Sequence, residues 1–180
     1  GIIGIEGDMV YLSGAPSGET NGISLLNLKT NKINAINPVE CHSYLGSYYS
    51  LGSTAPYAVE MECDGVKDGI SLNPKSRDAQ ILAALRNSFP NKEISLGNWT
   101  DKNDMAIMLV EDSSSIREAF LIDLSSGKLV PKYIATASNV PRDKLHKNEP
   151  KTFKTFDGNT IYGYLTKPNK EIKKLAVYIH

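Results

Sequence analysis

Apolar positions fall in short runs along this chain, separated by polar turns, and most lack the 3.6-residue spacing of an amphipathic helix. The clearest pair is Asp8-Met9-Val10-Tyr11-Leu12 and Asp104-Met105-Ala106-Ile107-Met108. A second pair is Leu25-Leu26-Asn27-Leu28-Lys29-Thr30-Asn31-Lys32-Ile33 and Leu121-Ile122-Asp123-Leu124-Ser125-Ser126-Gly127-Lys128-Leu129. Both pairs are offset by the same 96 positions. Each copy reads as a strand, a polar loop, a second strand and a tight turn of Thr-Asn-Lys or Ser-Gly-Lys type, which is an antiparallel hairpin leading into another turn. An equal separation of two matched segments across a variable loop is the mark of an internal repeat.

Half of that offset is close to the roughly 40 to 50 residues of one four-stranded propeller blade, so a third unit is expected between the two copies. Ala55-Pro56-Tyr57-Ala58-Val59-Glu60-Met61 supplies a strand, Cys63-Asp64-Gly65 a turn, and Gly69-Ile70-Ser71-Leu72 the start of a partner. One segment departs from this pattern. Residues 76–86 carry a Ser cap at Ser76, Asp78 in the first turn, strong helix formers and apolar residues at Ile81, Leu82 and Leu85, which predicts a short helix closed before Phe89-Pro90. Its apolar face is expected to pack on a sheet.

Residues 130–150 contain Pro131, Pro141 and Pro150 with no clear period and read as a linker. Beyond them Lys151-Thr152-Phe153-Lys154-Thr155-Phe156 is a strand, Asp157-Gly158 a hairpin turn, and Thr160-Ile161-Tyr162-Gly163-Tyr164-Leu165 the return. The run Leu175-Ala176-Val177-Tyr178-Ile179 is continuously apolar, as in strands covered on both faces.

Composition narrows the partners. Twenty basic against twenty acidic residues give zero formal charge, which supplies no field for phosphate backbones or anionic lipid, so neither nucleic acid nor membrane is expected as a partner. No apolar run approaches the roughly 20 residues that span a bilayer. Gly1-Ile2-Ile3-Gly4-Ile5-Glu6-Gly7-Asp8 begins without Met and without the zones of a signal peptide, so an internal start is expected. Cys41 and Cys63 fit no CxxC spacing and read either as buried thiols or as one structural bridge.

Gly-x-Ser-x-Gly, in which glycines on both sides let the nucleophile sit in a strained elbow, does not occur. His42 and His146 stand in no motif and read as surface or turn histidines. Asp101-Lys102-Asn103-Asp104 opens like a calcium loop, but Ala106 stands where the sixth position needs Gly, so it reads as a turn. No zinc spacing, GxxxxGK[ST] or GxGxxG is present, so no cofactor and no metal is expected. Trp99, Tyr48, Tyr49 and Tyr57 are expected to pack between sheets rather than to line a binding surface.

The run Phe153-Lys154-Thr155-Phe156-Asp157-Gly158-Asn159-Thr160-Ile161-Tyr162-Gly163-Tyr164-Leu165-Thr166-Lys167-Pro168 resembles the start of the hydrolase domain in prolyl oligopeptidase-type serine peptidases, a family that includes acylaminoacyl-peptidases and dipeptidyl aminopeptidases. Asn73-Pro74, residues 85–90 and residues 113–127 are similar to that family's last propeller blades. The resemblance implies a mostly β chain: a partial β-propeller of about three blade equivalents with one short helix and a linker over residues 1–148, then the opening strands of an α/β-hydrolase domain over 149–180. It implies that His180 would begin a His-Gly-Gly-Pro loop near the oxyanion site. The catalytic Ser, Asp and His of the family lie downstream of that loop, so no catalytic residue is expected in this chain. The function implied is that of a non-catalytic propeller piece of a serine peptidase, gating the access of short peptides to an acyl-enzyme site. A stand-alone propeller-like module that binds proteins or peptides is the competing expectation. Three blades cannot close a ring, so self-association through open blade edges is expected.

Overall fold

The computed structural model of the chain describes residues 1–14, 22–36, 41–63, 66–114, 116–136, 139–168 and 176–177, with the side chains of Cys41, His42, Cys63, Val66 and Arg142 outside the description. Among these residues there are thirteen antiparallel strands in four sheets and one α-helix. Each sheet joins strands that follow one another in sequence, and no described sheet closes on itself.

The first sheet runs β1 (Ile2–Glu6), β2 (Met9–Ser13), β3 (Ile23–Asn27) and β4 (Lys32–Ala35) in that order. The second holds three strands, β5 (Cys41–Tyr49), β6 (Pro56–Cys63) and β7 (Val66–Ser71). Helix α1 (Arg77–Ser88) follows, and then a second four-stranded sheet of β8 (Glu93–Leu96), β9 (Met105–Glu111), β10 (Arg117–Asp123) and β11 (Lys132–Thr136). A separate hairpin, β12 (Asn148–Lys154) and β13 (Thr160–Thr166), ends the described strands.

The 96-residue offset is a repetition of strand register. Met9 faces Asn27, Val10 faces Leu26, Tyr11 faces Leu25 and Leu12 faces Ser24, and at the same spacing Met105 faces Asp123, Ala106 faces Ile122, Ile107 faces Leu121 and Met108 faces Phe120. The turns repeat too. Leu28 N–H donates to the Asp8 carbonyl at 2.8 Å, as Leu124 N–H does to the Asp104 carbonyl at 2.8 Å. Lys29 N–H donates to Asn27 Oδ1 at 2.9 Å, as Ser125 N–H does to Asp123 Oδ1 at 3.0 Å. An Asx side chain thus organises both turns through the backbone two residues on. Left-handed residues also fall at matching places: Gly7 (φ 57°) with Asn103 (φ 57°), and Asn31 (φ 53°) with Gly127 (φ 71°). Gly and Asn are the residues that take this conformation at least cost.

The middle unit has the expected strand and partner but lacks a fourth strand. After β7 the chain meets Asn73-Pro74 and then Ser76, whose side chain accepts from Ala79 N–H at 3.2 Å and starts α1 where a fourth strand would begin. The helix ends as expected, with Phe89 N–H returning to the carbonyls of Leu85 and Arg86 and Pro90 barring another turn. Ala79, Leu82 and Leu85 bury its inner face against Tyr57 and Ala58 of β6 and against Ile94, Met108, Val110 and Ile122 of the following sheet. A smaller core of Ile23, Val59 and Met61 joins the first two sheets.

Three expectations need correction. Residues 130–150 are not simply a linker: β11 lies within them and pairs with β10, and a single 3-10 turn spans Arg142–Lys144. Strand β11 is exposed at every position, so it carries no alternation to betray it. The Asp157-Gly158 hairpin is wider than a two-residue turn, because Lys154 pairs with Thr160 and Thr155 N–H donates to the Asn159 carbonyl at 3.0 Å. Of the expected buried strand over residues 175–179, the described Ala176 and Val177 lie outside any strand and are exposed; the rest of it, and His180, lie outside the described residues.

Candidate functional site

A cleft of about 770 Å³ opens where β6 and β7, the end of α1, strands β8 and β9, and the β12–β13 hairpin meet. Its character is set by charge. Glu60 on β6, Asp68 and Lys67 on β7, Arg86 on α1, Glu93 on β8 and Glu111 on β9 all line it. Tyr164 and Asn148 contribute its hairpin wall, and Asn148 N–H ties that wall to the Ser113 carbonyl at 2.7 Å.

Strand alternation explains why Glu60 points away from the smaller core: Val59 and Met61 on either side of it are fully buried on the opposite face. Burial pushes the Glu60 carboxyl above its ordinary range, and the neighbouring Glu93 adds to this, while Lys67 and Arg86 pull it back. Lys67 Nζ sits 2.8 Å from Glu93 Oε2, and that hydrogen bond raises the lysine above its usual value. Glu93 and Glu111 are directly opposite one another across β8 and β9, a like-charge pairing that is unfavourable by itself. Each is offset by its own cation. Arg117 donates to Glu111 Oε2 from Nε at 3.0 Å and from Nη2 at 2.8 Å.

Arg86 is seated by Gly69. A Cβ added at Gly69 would lie 1.4 Å from Arg86 Nη1, so the guanidinium occupies the space that any side chain there would take. This close approach brings a cation from the helix beside Tyr48, whose hydroxyl donates to the Ile94 carbonyl at 3.0 Å. Burial, followed by Glu60, raises the Tyr48 phenol; Arg86 opposes the shift. Burial also raises Tyr164, with Glu62 and Glu93 adding to the effect.

The cleft can hold a polar ligand that carries both signs of charge, because carboxylates and cations both line it. Its lining contains one serine, Ser113, and no histidine among the described residues, so these residues hold no Ser-His pair of the triad type. No group of three or more His, Cys, Asp or Glu side chains with metal-holding geometry occurs among the described residues. Among the described residues no helix is long and apolar enough to cross a membrane.

The structure separates the residues considered from sequence. His180 lies outside the described residues. His42 belongs to β5, and His146 is half-buried in the connection before β12 and does not line the cleft. Trp99 and Tyr57 are buried in the larger core, and Tyr48 packs against it. Trp99 also carries the Arg77 guanidinium 5.0 Å from its ring centre. Tyr49 is exposed, its hydroxyl donating to the Ile3 carbonyl. Residues 101–104 form a turn, with Thr100 Oγ1 donating to Asp104 Oδ1 at 2.7 Å. The charged cluster around Glu60 carried no sequence signal, because its members lie on five elements.

No protein-family model matches the chain, and no curated protein matches it either.

Proposed function

We propose that this chain is the peptide-admitting portion of a serine peptidase of prolyl oligopeptidase type, and that it does not itself cleave peptides. The observation that carries this reading is the 96-residue repetition of register in two four-stranded antiparallel meanders. A four-stranded meander is the unit of a propeller blade, and the Phe153 to Pro168 run that resembles the start of the hydrolase domain follows the last of them as a separate hairpin. In this reading the sheets filter short peptides, and the mixed-charge cleft receives their charged ends. The acylation chemistry belongs to a Ser, His and Asp supplied beyond these residues: the serine oxygen attacks the peptide carbonyl, histidine carries its proton to the departing amine, and water releases the acyl group. Removing a nucleophile from such a unit costs on the order of a million-fold in turnover.

Purified chain is therefore expected to give no hydrolysis of peptide amides, and the gene is expected to continue past the His180 codon with Gly-Gly-Pro and then Gly-x-Ser-x-Gly. A stop codon there would overturn the peptidase reading and leave a binding module. Edge strands β4 and β11 are exposed along their length, so the isolated chain is expected to pair through them. Light scattering that gives a clean monomer at high micromolar concentration would oppose that association.

A further inference from the structure

The chain has two cysteines, and the register of β5 and β6 puts Cys41 directly opposite Cys63. From this juxtaposition we infer that Cys41 and Cys63 are the two halves of an intrachain cross-strand disulfide. Directly opposed residues of an antiparallel pair have Cα atoms about 4.5 to 5.5 Å apart, whichever kind of pair they form. That interval lies inside the roughly 4.4 to 6.8 Å that a disulfide spans. Opposed residues also share one face of the sheet. In a chain of 180 residues, the second of two cysteines has few positions available that satisfy both conditions.

The place in the fold gives the bond a purpose. Strand β5 is an edge strand of the three-stranded sheet, and its pairing with β6 is interrupted between Cys41 and Ser43, between Tyr44 and Gly46 and between Tyr48 and Tyr49. Each interruption removes regular ladder bonds. Cys63 follows Val59 and Met61 along β6, and those two residues join the first two sheets. Tyr44, opposite Met61, packs against that same core. A covalent tie at Cys41 and Cys63 holds the far end of a bulged strand in the one register that keeps Tyr44 there.

The bond forms by exchange with a small-molecule disulfide. One cysteine thiolate attacks oxidised glutathione and releases a glutathione thiolate, giving a mixed disulfide. The second cysteine thiolate then attacks the protein sulfur of that mixed disulfide and releases the second glutathione. Two thiols of the chain are oxidised, one disulfide is reduced, and two protons leave with the products.

The test is to equilibrate the full chain with reduced and oxidised glutathione over a series of ratios, natively and in concentrated guanidinium chloride, then trap with iodoacetamide and map peptides by mass. The expected native product is a Cys41 to Cys63 linked peptide pair with no attached glutathione. It should persist to at least about tenfold more reducing ratios natively than in denaturant, since the folded register holds the two residues opposite one another. Native chain that remains dithiol, that carries glutathione on both cysteines, or that cross-links between chains would overturn the inference. So would equal resistance to reduction with and without denaturant, which would show a bond made by proximity in sequence rather than by register.

Discussion

The two four-stranded sheets share a register, an Asx-organised turn and left-handed residues at matching places, yet they bury different amounts of the same positions. Met108 and Ile122 are fully buried, whereas their counterparts Leu12 and Leu26 are only half-buried. The difference comes from what lies above each sheet. Strands β8–β11 receive α1, whose Leu82 and Leu85 close over Met108 and Ile122, while the first sheet meets only the smaller core around Val59 and Met61. Equal local patterns therefore acquire unequal energetic weight from their neighbours. Position 24 shows it from the other side: buried Ser24 leaves its hydroxyl without a partner among the described residues, while its counterpart Phe120 stacks edge-on against Phe89 and Tyr133.

The sharpest test of this contrast is a pair of truncations measured by urea unfolding. Met108→Ala is expected to cost about 3 kcal/mol, since a fully buried side chain leaves a cavity, and Leu12→Ala about 1 kcal/mol. Equal losses at the two positions would break the contrast. Next in size are the turns. Gly127→Ala forces an L side chain into the left-handed region and should cost about 1 kcal/mol, whereas Asn31→Gly should be close to neutral. If Gly127→Ala is harmless, the turn at the end of β10 is not held as its counterpart is.

A smaller effect separates Asp123 from Asn27 by pH. The Ser125 hydroxyl, donating to Asp123 Oδ1 at 2.6 Å, together with Ser125 N–H holds this carboxyl below its usual value. The unfolded chain therefore takes up the proton first as pH falls. The stabilisation is complete above the ordinary Asp value of about 3.9 and is lost as pH drops through the lower folded value. Asp123→Asn, which makes the site like Asn27, should flatten the acid limb of a urea-midpoint profile between about pH 5 and pH 3. An unchanged slope would mean the carboxylate adds nothing to the turn. Smallest is Ser24→Ala, expected to leave the midpoint unchanged or slightly raised, because it removes a buried hydroxyl without a partner among the described residues. A loss above about 1 kcal/mol would show that the hydroxyl has a partner after all.

The repeat was legible because turn chemistry is local: an Asx side chain, a Gly or Asn able to go left-handed, and flanking apolar pairs occupy fixed offsets that survive in the sequence. Helix α1 was legible for the same reason, since Ser76 and Pro90 mark its ends. Strand β5 was not, because three register shifts in nine residues destroy the alternation that announces a strand. Strand β11 was hidden by exposure on both faces. The cleft was least visible, since Glu60, Lys67, Arg86 and Glu93 meet only after two sheets and a helix have packed.

The order of hairpins, the 96-residue repetition and the site of the helix are properties of the chain alone, because they rest on interactions between residues a few positions apart. Which copy of each repeated position is buried, how Gly69 seats Arg86, where two opposed carboxylates find their cations, and that Cys41 faces Cys63 were decided by tertiary structure. Those relations join residues distant in sequence, and no local propensity encodes a distance that only packing creates.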